Sequence, residues 1–238
     1  MKALILAAGR GQRLRPWTDT TPKPLLSVGT CRLCDWQLAS CARAGIHDIV
    51  MNTAYLSSAF SSLPQDYTEY GLHITFSCEG TRQDDALETL GGIVKALPHL
   101  TDGTEPFLVL AGDIAHDFDL RALLAKREDI LAGRTDAHLV VVPNPSYHPK
   151  GDLNIASDGR VVPGAGPYTY ACLLVVSPRI FKGLKPVRAK LFPWLWQFRV
   201  TAQVHRGFWS NVGDPSEYAA LKGNARALLW ARFPGKDN

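Results

Sequence analysis

Short apolar runs alternate with segments of helical spacing along the first half of the chain. Residues 3–7 (ALILA) read as a buried strand, and residues 32–44 as a helix that stops at Gly45, a residue suited to the left-handed turn after a helix. IHDIVMN (46–52) gives the next strand. A short helix around 55–62, the strand LHITFS (72–77) and a helix over 87–97 follow. FLVLAGD (107–113) is a continuous apolar run ending on a carboxylate, the pattern of a central parallel strand. Asp119 is placed to cap a helix from Leu120, and HLVVVPN (138–144) reads as a strand. This alternation predicts βαβ units around a mostly parallel sheet.

Beyond residue 144 the pattern changes. Residues 152–162 read as a hairpin turning at Ser157-Asp158-Gly159, and YTYACLLVV (168–176) as a long strand. This part is more antiparallel, in the manner of an inserted region for a second substrate. Near the end, Asp214-Pro215-Ser216-Glu217 supplies an N-cap, a proline at N1 and a glutamate at N3, predicting a helix to about Leu229. Asp214 therefore reads as structural.

A length of 238 residues and 46% hydrophobic content suit one domain with a sizeable core. We divide it into a first half (about 1–143), a second part (about 144–210) and a C-terminal segment (211–238). No apolar run is long enough for a membrane span, and the opening strand runs straight into the basic GRGQRLR, unlike a secretory leader. The expectation is a cytoplasmic protein. Its net charge of +4 fits small anionic substrates, and without a basic block it points away from nucleic acid and membrane partners. The pattern leaves monomer and homodimer open. Five scattered cysteines argue against a disulfide framework. Cys31-x-x-Cys34 has no second pair at zinc spacing, and Cys34, Leu38, Cys41 and Ala42 share one helical face, which favours packing.

The chemistry concentrates after the first strand, in Gly9-Arg10-Gly11-Gln12-Arg13-Leu14-Arg15-Pro16. Glycines let backbone approach a phosphate, successive N–H groups form an anion nest, and Arg13 adds a fork matched to phosphate oxygens. Pro22 and Pro24 stiffen the backbone around Lys23, so that its ammonium is held at one place. Neither the Walker A pattern nor a complete G-x-G-x-x-G is present, which excludes those two nucleotide-binding classes. Asp113 lies at the carboxyl end of a strand, where open α/β sheets bind ligands; it also suits a turn. The seven histidines show no metal spacing, and Trp194, Trp196 and Trp209 read as core or subunit contact.

Leu6-Ala7-Ala8-Gly9-x-Gly11-x-Arg13-Leu14-x-Pro16, with Pro22-Lys23-Pro24-Leu25, resembles the signature of the sugar-1-phosphate nucleotidyltransferases. Glu79-Gly80, Leu87-Glu88-Thr89-x-Gly91-Gly92-Ile93, Gly112-Asp113, Gly151-Asp152 and Trp209-x-Asn211-Val212-Gly213 follow in that family's order. The resemblance implies an α/β, Rossmann-like (GT-A-type) fold with helices on both faces of the sheet and a smaller antiparallel sugar-binding subregion; it makes about 1–143 the nucleotide-binding half, about 144–210 the sugar-binding half, and 211–238 the metal-ligand strand end and C-terminal helix. It implies Lys23 and Arg13 as catalytic residues, and Ala7, Ala8, Gly9, Gly11, Gln12, Arg13, Lys23, Glu79, Gly91, Ala111 and Gly112 around the nucleotide. Gly151, Asp152 and Lys190 are candidates for the sugar; Asp152 equally suits a hairpin, and Lys190 a solvated surface. Mg2+ would be held by Asp113 and Asn211, the latter standing where many relatives carry aspartate. The loop Thr81–Asp85 is longer, and Leu90 bulkier, than the resemblance leads us to expect.

The resemblance is closest to the bacterial branch that transfers UMP from UTP to N-acetylmuramate α-1-phosphate in peptidoglycan recycling. Other acceptors remain as alternatives: glucose 1-phosphate, mannose 1-phosphate with GTP, or phosphocholine with CTP. A noncatalytic nucleotide-sugar sensor is a further one.

Overall fold

In the computed structural model, which describes residues 1–82 and 84–234, thirteen strands and seven α-helices are joined by short 3-10 turns. In chain order the strands are β1 (Ala3–Leu6), β2 (Ser27–Val28), β3 (Cys31–Arg32), β4 (Asp48–Thr53), β5 (His73–Cys78), β6 (Phe107–Ala111) and β7 (Ile114–His116). They continue with β8 (Ala137–Pro143), β9 (Leu153–Ile155), β10 (Val161–Pro163), β11 (Tyr168–Val176), β12 (Val200–Val204) and β13 (Trp209–Asn211). The helices are α1 (Asp35–Arg43), α2 (Leu63–Tyr67), α3 (Glu88–Leu100), α4 (Arg121–Leu124), α5 (Arg127–Leu131), α6 (Pro215–Lys222) and α7 (Ala225–Leu228).

Nine strands form one sheet along the path β10-β9-β11-β6-β1-β4-β5, with β8 pairing β11 and β12 off that path. β6, β1, β4 and β5 are parallel neighbours, and β12 runs parallel to β8. β11 runs antiparallel to β6, β8 and β9. β1 is buried on both faces, because Ala3 and Ile5 join one apolar core while Leu4 joins the other. That is why its sequence is a continuous apolar run rather than an alternation. α1 packs into the first core through Cys34, Leu38 and Cys41, and α3 into the second through Ile93 and Ala96. Helices therefore cover both faces of a mixed, largely parallel sheet in the first half of the chain.

The chain leaves β1 for β4 and β5 on one side, then returns to β6 on the other. The reversal opens a crevice beyond the carboxyl ends of β1 and β6, the general ligand position of open α/β sheets. Residues 7–13 and 111–113 meet there. Two small sheets lie outside the main one, β2–β3 and β7–β13. In the second, Asn211 pairs with Ile114.

Local chemistry explains where elements end. α1 closes with a Schellman arrangement: the Ile46 N–H donates to Cys41 O (2.9 Å), the Gly45 N–H donates to Ala42 O (3.1 Å), and Gly45 takes φ +72°. The helix expected from residue 32 starts at Asp35 instead, because the Asp35 carboxylate accepts the Arg32 N–H (2.8 Å) while Cys31–Arg32 pair as a strand. The region around 55–62 is a 3-10 turn, Ser57–Phe60, followed by α2, which begins where Pro64 fits a first helical turn. Asp214 forms the full capping box with Glu217. The helix it starts breaks at Gly223, because the Asn224 side chain accepts the Ala227 N–H (3.0 Å) and caps a new helix, α7. The single helix to Leu229 is thus two. Cys34 and Cys41 are fully buried packing residues, and all five thiols are free. No helix among the described residues is long and apolar enough to cross a membrane.

Candidate active site

The Gly-rich loop folds as three successive 3-10 turns, Gln12–Leu14, Trp17–Asp19 and Lys23–Leu25. Gly11 is required twice over. It takes φ +63°, and a Cβ there would lie 2.9 Å from Thr18 Cγ2 and 3.0 Å from Lys23 Cβ. The Thr18 hydroxyl donates back to Gly11 O (2.9 Å), closing the loop on itself. Lys23 emerges beneath it, only 8% exposed, and its ammonium pairs with the Asp113 carboxylate. The proline-flanked lysine and the strand-end aspartate, 90 residues apart, are thus brought into contact.

Around this pair lie two adjoining cavities that share Leu6, Gly9, Arg10, Gln12 and Asp113. The larger, about 520 Å³, is also lined by Gly11, Arg13 and Lys23. Its charged lining is Arg10, Arg13 and Lys23 against Asp113 alone, a field suited to a polyanion. Arg13 lies across Gly213, where a Cβ would come within 3.0 Å of its Nη2. The Gly213 N–H in turn donates to Glu217 Oε2 (2.5 Å), so the capping box of α6 also anchors the floor under Arg13.

The second cavity, about 410 Å³, is lined by Ala8, Asn52, Glu79, Thr89, Ala111 and Arg188 in addition to the shared residues. One relay of hydrogen bonds braces its wall. The Ala7 N–H donates to Asn52 Oδ1 (2.7 Å), Asn52 Nδ2 donates to Glu79 Oε1 (2.6 Å), and the Leu87 N–H donates to Glu79 Oε2 (2.7 Å). Burial pushes the Glu79 carboxyl above its ordinary range, partly offset by these donors. Both its oxygens are engaged by protein, so Glu79 braces this wall. Asn52 is the residue that joins the loop to Glu79.

The glycine pair of α3 has a packing explanation. A Cβ on Gly92 would stand 2.5 Å from Glu79 Oε1, and one on Gly91 would stand 2.2 Å from the Val187 carbonyl oxygen. Gly91 therefore admits the segment 187–189, whose Ala189 carbonyl accepts the Leu90 N–H (2.9 Å), and lines neither cavity. Gly112 is also a packing glycine, with Leu6 O 2.9 Å from where its Cβ would be. Gly9 is different, because a Cβ there meets nothing within 4 Å and would project into open space at the cavity. Gly91→Ala is expected to destabilise the fold by about 1–3 kcal/mol. Gly9→Ala is expected to leave the melting temperature in place and raise the nucleotide KM. Thermal unfolding and steady-state kinetics on the two variants test this contrast.

Asn211 and Asp152 line a third cavity, about 380 Å³, with Tyr147, His148, Tyr170, Cys172, Phe192, Trp196 and Trp209. Trp196 and Trp209 pack against the apolar cores, as expected of them, and also form wall here. Burial pushes the Cys172 thiol up to about 12, so this cysteine is a neutral wall residue. Gly151, at φ +59°, makes a turn whose Cβ position is filled by Asn144 Oδ1 and Gly166 O at 2.4 Å, and it lines none of the three cavities. Lys190 is exposed and lines none of them either. Gly151 thus shapes a turn and Lys190 faces solvent. Arg188, Tyr147 and His148 are wall residues that the sequence reading had not singled out. Tyr147 and His148 follow Pro145 and precede Pro149, a stiff loop that was the available signal.

Asp113 and Asn211 are neighbours through the small sheet: the Val212 N–H donates to Asp113 O (3.3 Å) as β13 runs beside β7. They offer one carboxylate and one carboxamide oxygen. No group of three His, Cys, Asp or Glu side chains among the described residues makes a complete metal cage. In the loop 81–85, Asp85 Oδ2 accepts the N–H groups of Thr81 (3.0 Å) and Arg82 (2.7 Å), and Asp84 reaches the second cavity. Gln83 of this loop lies outside the described residues.

A family model described as Nucleotidyl transferase matches residues 2–162. The N-acetylmuramate alpha-1-phosphate uridylyltransferase of Neisseria meningitidis serogroup B is 41% identical over 221 residues, covering 90% of this chain and 93% of that protein. The mannose-1-phosphate guanyltransferase of Emericella nidulans is 31% identical over 236 residues; the match spans 92% of this chain and 62% of that longer protein. In three dimensions, a Bacillus anthracis structure assigned to a glucose-1-phosphate thymidylyltransferase superposes with a TM-score of 0.79. It is 20% identical and is covered to 98%, with 99% of this chain.

Proposed function

The chain belongs to the nucleotidyl transferase family, and from that premise we propose that it transfers UMP from UTP to N-acetylmuramate α-1-phosphate. The products are UDP-N-acetylmuramate and pyrophosphate, which gives the protein a place in the reuse of cell-wall sugars. The observation that carries the acceptor is the 41% identity, over nearly the whole of both chains, to a protein named for that reaction.

The chemistry asks little of a protein base. An oxygen of the sugar phosphate, already anionic at neutral pH, forms a bond to the α-phosphorus. The bond from that phosphorus to the bridging oxygen breaks, and pyrophosphate leaves with the electron pair. Catalysis then consists of aligning two polyanions and countering their charge. Lys23 would sit at the α-phosphate and the incoming phosphate, held there by its packed stem and by Asp113. Arg13 and the amides of the Gly-rich loop would hold the β,γ-phosphates, with Arg10 beside them. The nucleoside would occupy the cavity of Ala8, Thr89 and Ala111, and the sugar the cavity of Asp152 and Asn211.

Asp113 and Asn211 fit a hard divalent cation, because both present oxygen. Mg2+ commonly takes only one or two protein groups and completes its shell with phosphates and water. These two residues would hold it, and its chemistry there is to offset negative charge on the phosphate oxygens. Their incomplete cage makes binding of metal dependent on the nucleotide.

A panel of UTP, GTP and CTP against N-acetylmuramate, N-acetylglucosamine, glucose and mannose 1-phosphates and phosphocholine tests the reading. Pyrophosphate release is expected to be fastest, by about tenfold or more in kcat/KM, with UTP and the muramate. A higher value for mannose 1-phosphate with GTP would replace this reading by that of the guanyltransferase relatives.

A further inference from the structure

The acceptor cavity contains a basic group with no part in holding the triphosphate. Its apolar wall is built from rings. Phe192 and Trp196 stack with centroids 4.5 Å apart, Tyr170 meets Phe192 edge-on at 5.3 Å, and the Trp209 indole N–H donates to Ala171 O (3.0 Å). Such a wall suits the C–H face of a pyranose, and its rigidity fixes where the ring substituents fall. Across the cavity stands His148, the one basic side chain in the lining.

His148 is positioned with care. Its Nε2 lies 2.9 Å from Asp152 Oδ1, and the other Asp152 oxygen accepts the Tyr170 N–H (2.9 Å) from strand β11. The backbone around it is tied as well. The His148 N–H donates to Pro145 O (2.9 Å), the Gly151 N–H to His148 O (3.1 Å), and Asn144 Nδ2 to Pro149 O (3.1 Å). An imidazole held this way by a pinned carboxylate is a preorganised contact rather than a loose surface side chain. It is also 40% exposed, so it is open to a ligand.

A neutral sugar phosphate has its one anionic group met in the adjoining cavity by Lys23. Nε2 of His148 is taken by Asp152, and Nδ1 has no partner among the described residues, so one ring nitrogen is left for a group on the sugar itself. We propose that His148 recognises the carboxylate of the acceptor sugar, and so sets the preference for an acidic sugar 1-phosphate over its neutral counterpart. Asp152 is the positioning residue that holds the imidazole. The proposal rests on the acceptor reading given above, and it assigns that specificity to one side chain.

N-acetylmuramate and N-acetylglucosamine 1-phosphates differ only in the lactyl ether, so the ratio of their kcat/KM values isolates the carboxylate. In His148→Gln this ratio is expected to fall by about tenfold or more, the worth of one hydrogen bond between charged groups, and to fall through KM. In His148→Lys, which places a cation there, the ratio is expected to return most of the way. A His148→Gln protein that unfolds at the native temperature and keeps the native ratio overturns the proposal. So does a His148→Lys protein as unselective as the Gln variant. Failure of the acceptor reading is seen separately, as a native protein with no preference for the acid.

Discussion

Lys23→Ala is expected to lower kcat by about 10²–10³-fold, the usual effect of removing a preorganised donor from a developing charge. The protein is expected to remain folded. The expectation follows from how this lysine is held. Pro22 and Pro24 bracket it, Gly11 leaves the space its stem fills, and Asp113 fixes its ammonium at the mouth shared by the two nucleotide-side cavities. A side chain only 8% exposed has little rotamer freedom left to lose when substrates arrive. Truncating the stem removes apolar contact worth about 1–2 kcal/mol, which a domain of this size tolerates. Lys23→Met keeps the stem and removes only the charge, so it separates packing from catalysis. Single-turnover kinetics should place both variants together far below the native rate, with circular dichroism unchanged. A kcat within about fivefold of native in both would move the reacting phosphorus away from this residue.

Asp113→Asn is expected to lower kcat by about 10²-fold and to raise the Mg2+ concentration needed for half-maximal rate. Asp113 supplies the only carboxylate of the proposed metal pair, and the carboxamide of Asn211 adds an oxygen without charge. The same substitution also leaves Lys23 without its partner, which by itself is destabilising, because a nearly buried cation is then unpaired. The double variant Lys23→Met with Asp113→Asn resolves the two roles. Stability should recover relative to Asp113→Asn alone, and activity should not. If the single variant keeps the native Mg2+ requirement, Asp113 serves as the ion-pair partner of Lys23 and the metal assignment falls.

Much of this site was legible before any coordinates. The Gly-rich loop, the proline-flanked lysine and the strand-end aspartate each carry a local signature, because each depends on backbone chemistry at its own position. The capping box at Asp214 was legible for the same reason, and the structure forms both of its hydrogen bonds. What sequence could not supply was contact between distant segments. Gly91 and Gly92 are glycines inside a helix, and the packing that demands them comes from other segments, the Val187 carbonyl and the Glu79 carboxylate. Trp196 and Trp209 pack against the cores as expected, yet the bulge in β11 between Tyr170 and Leu173 and the loop at His148 leave a cavity beside them. Helix ends set by side-chain competition, as at Asn224, were missed because a cap residue inside a helical pattern gives no periodic signal.

The central claim is that this site joins the α-phosphorus of a nucleoside triphosphate to a sugar phosphate. The most direct test supplies UTP labelled at the α-phosphorus together with N-acetylmuramate α-1-phosphate and Mg2+, and follows the label. The account predicts that the label appears in UDP-N-acetylmuramate, with one unlabelled pyrophosphate released per labelled product, and that Lys23→Met stops both. Label recovered only as UTP, or released as UMP with the acceptor unchanged, would contradict it.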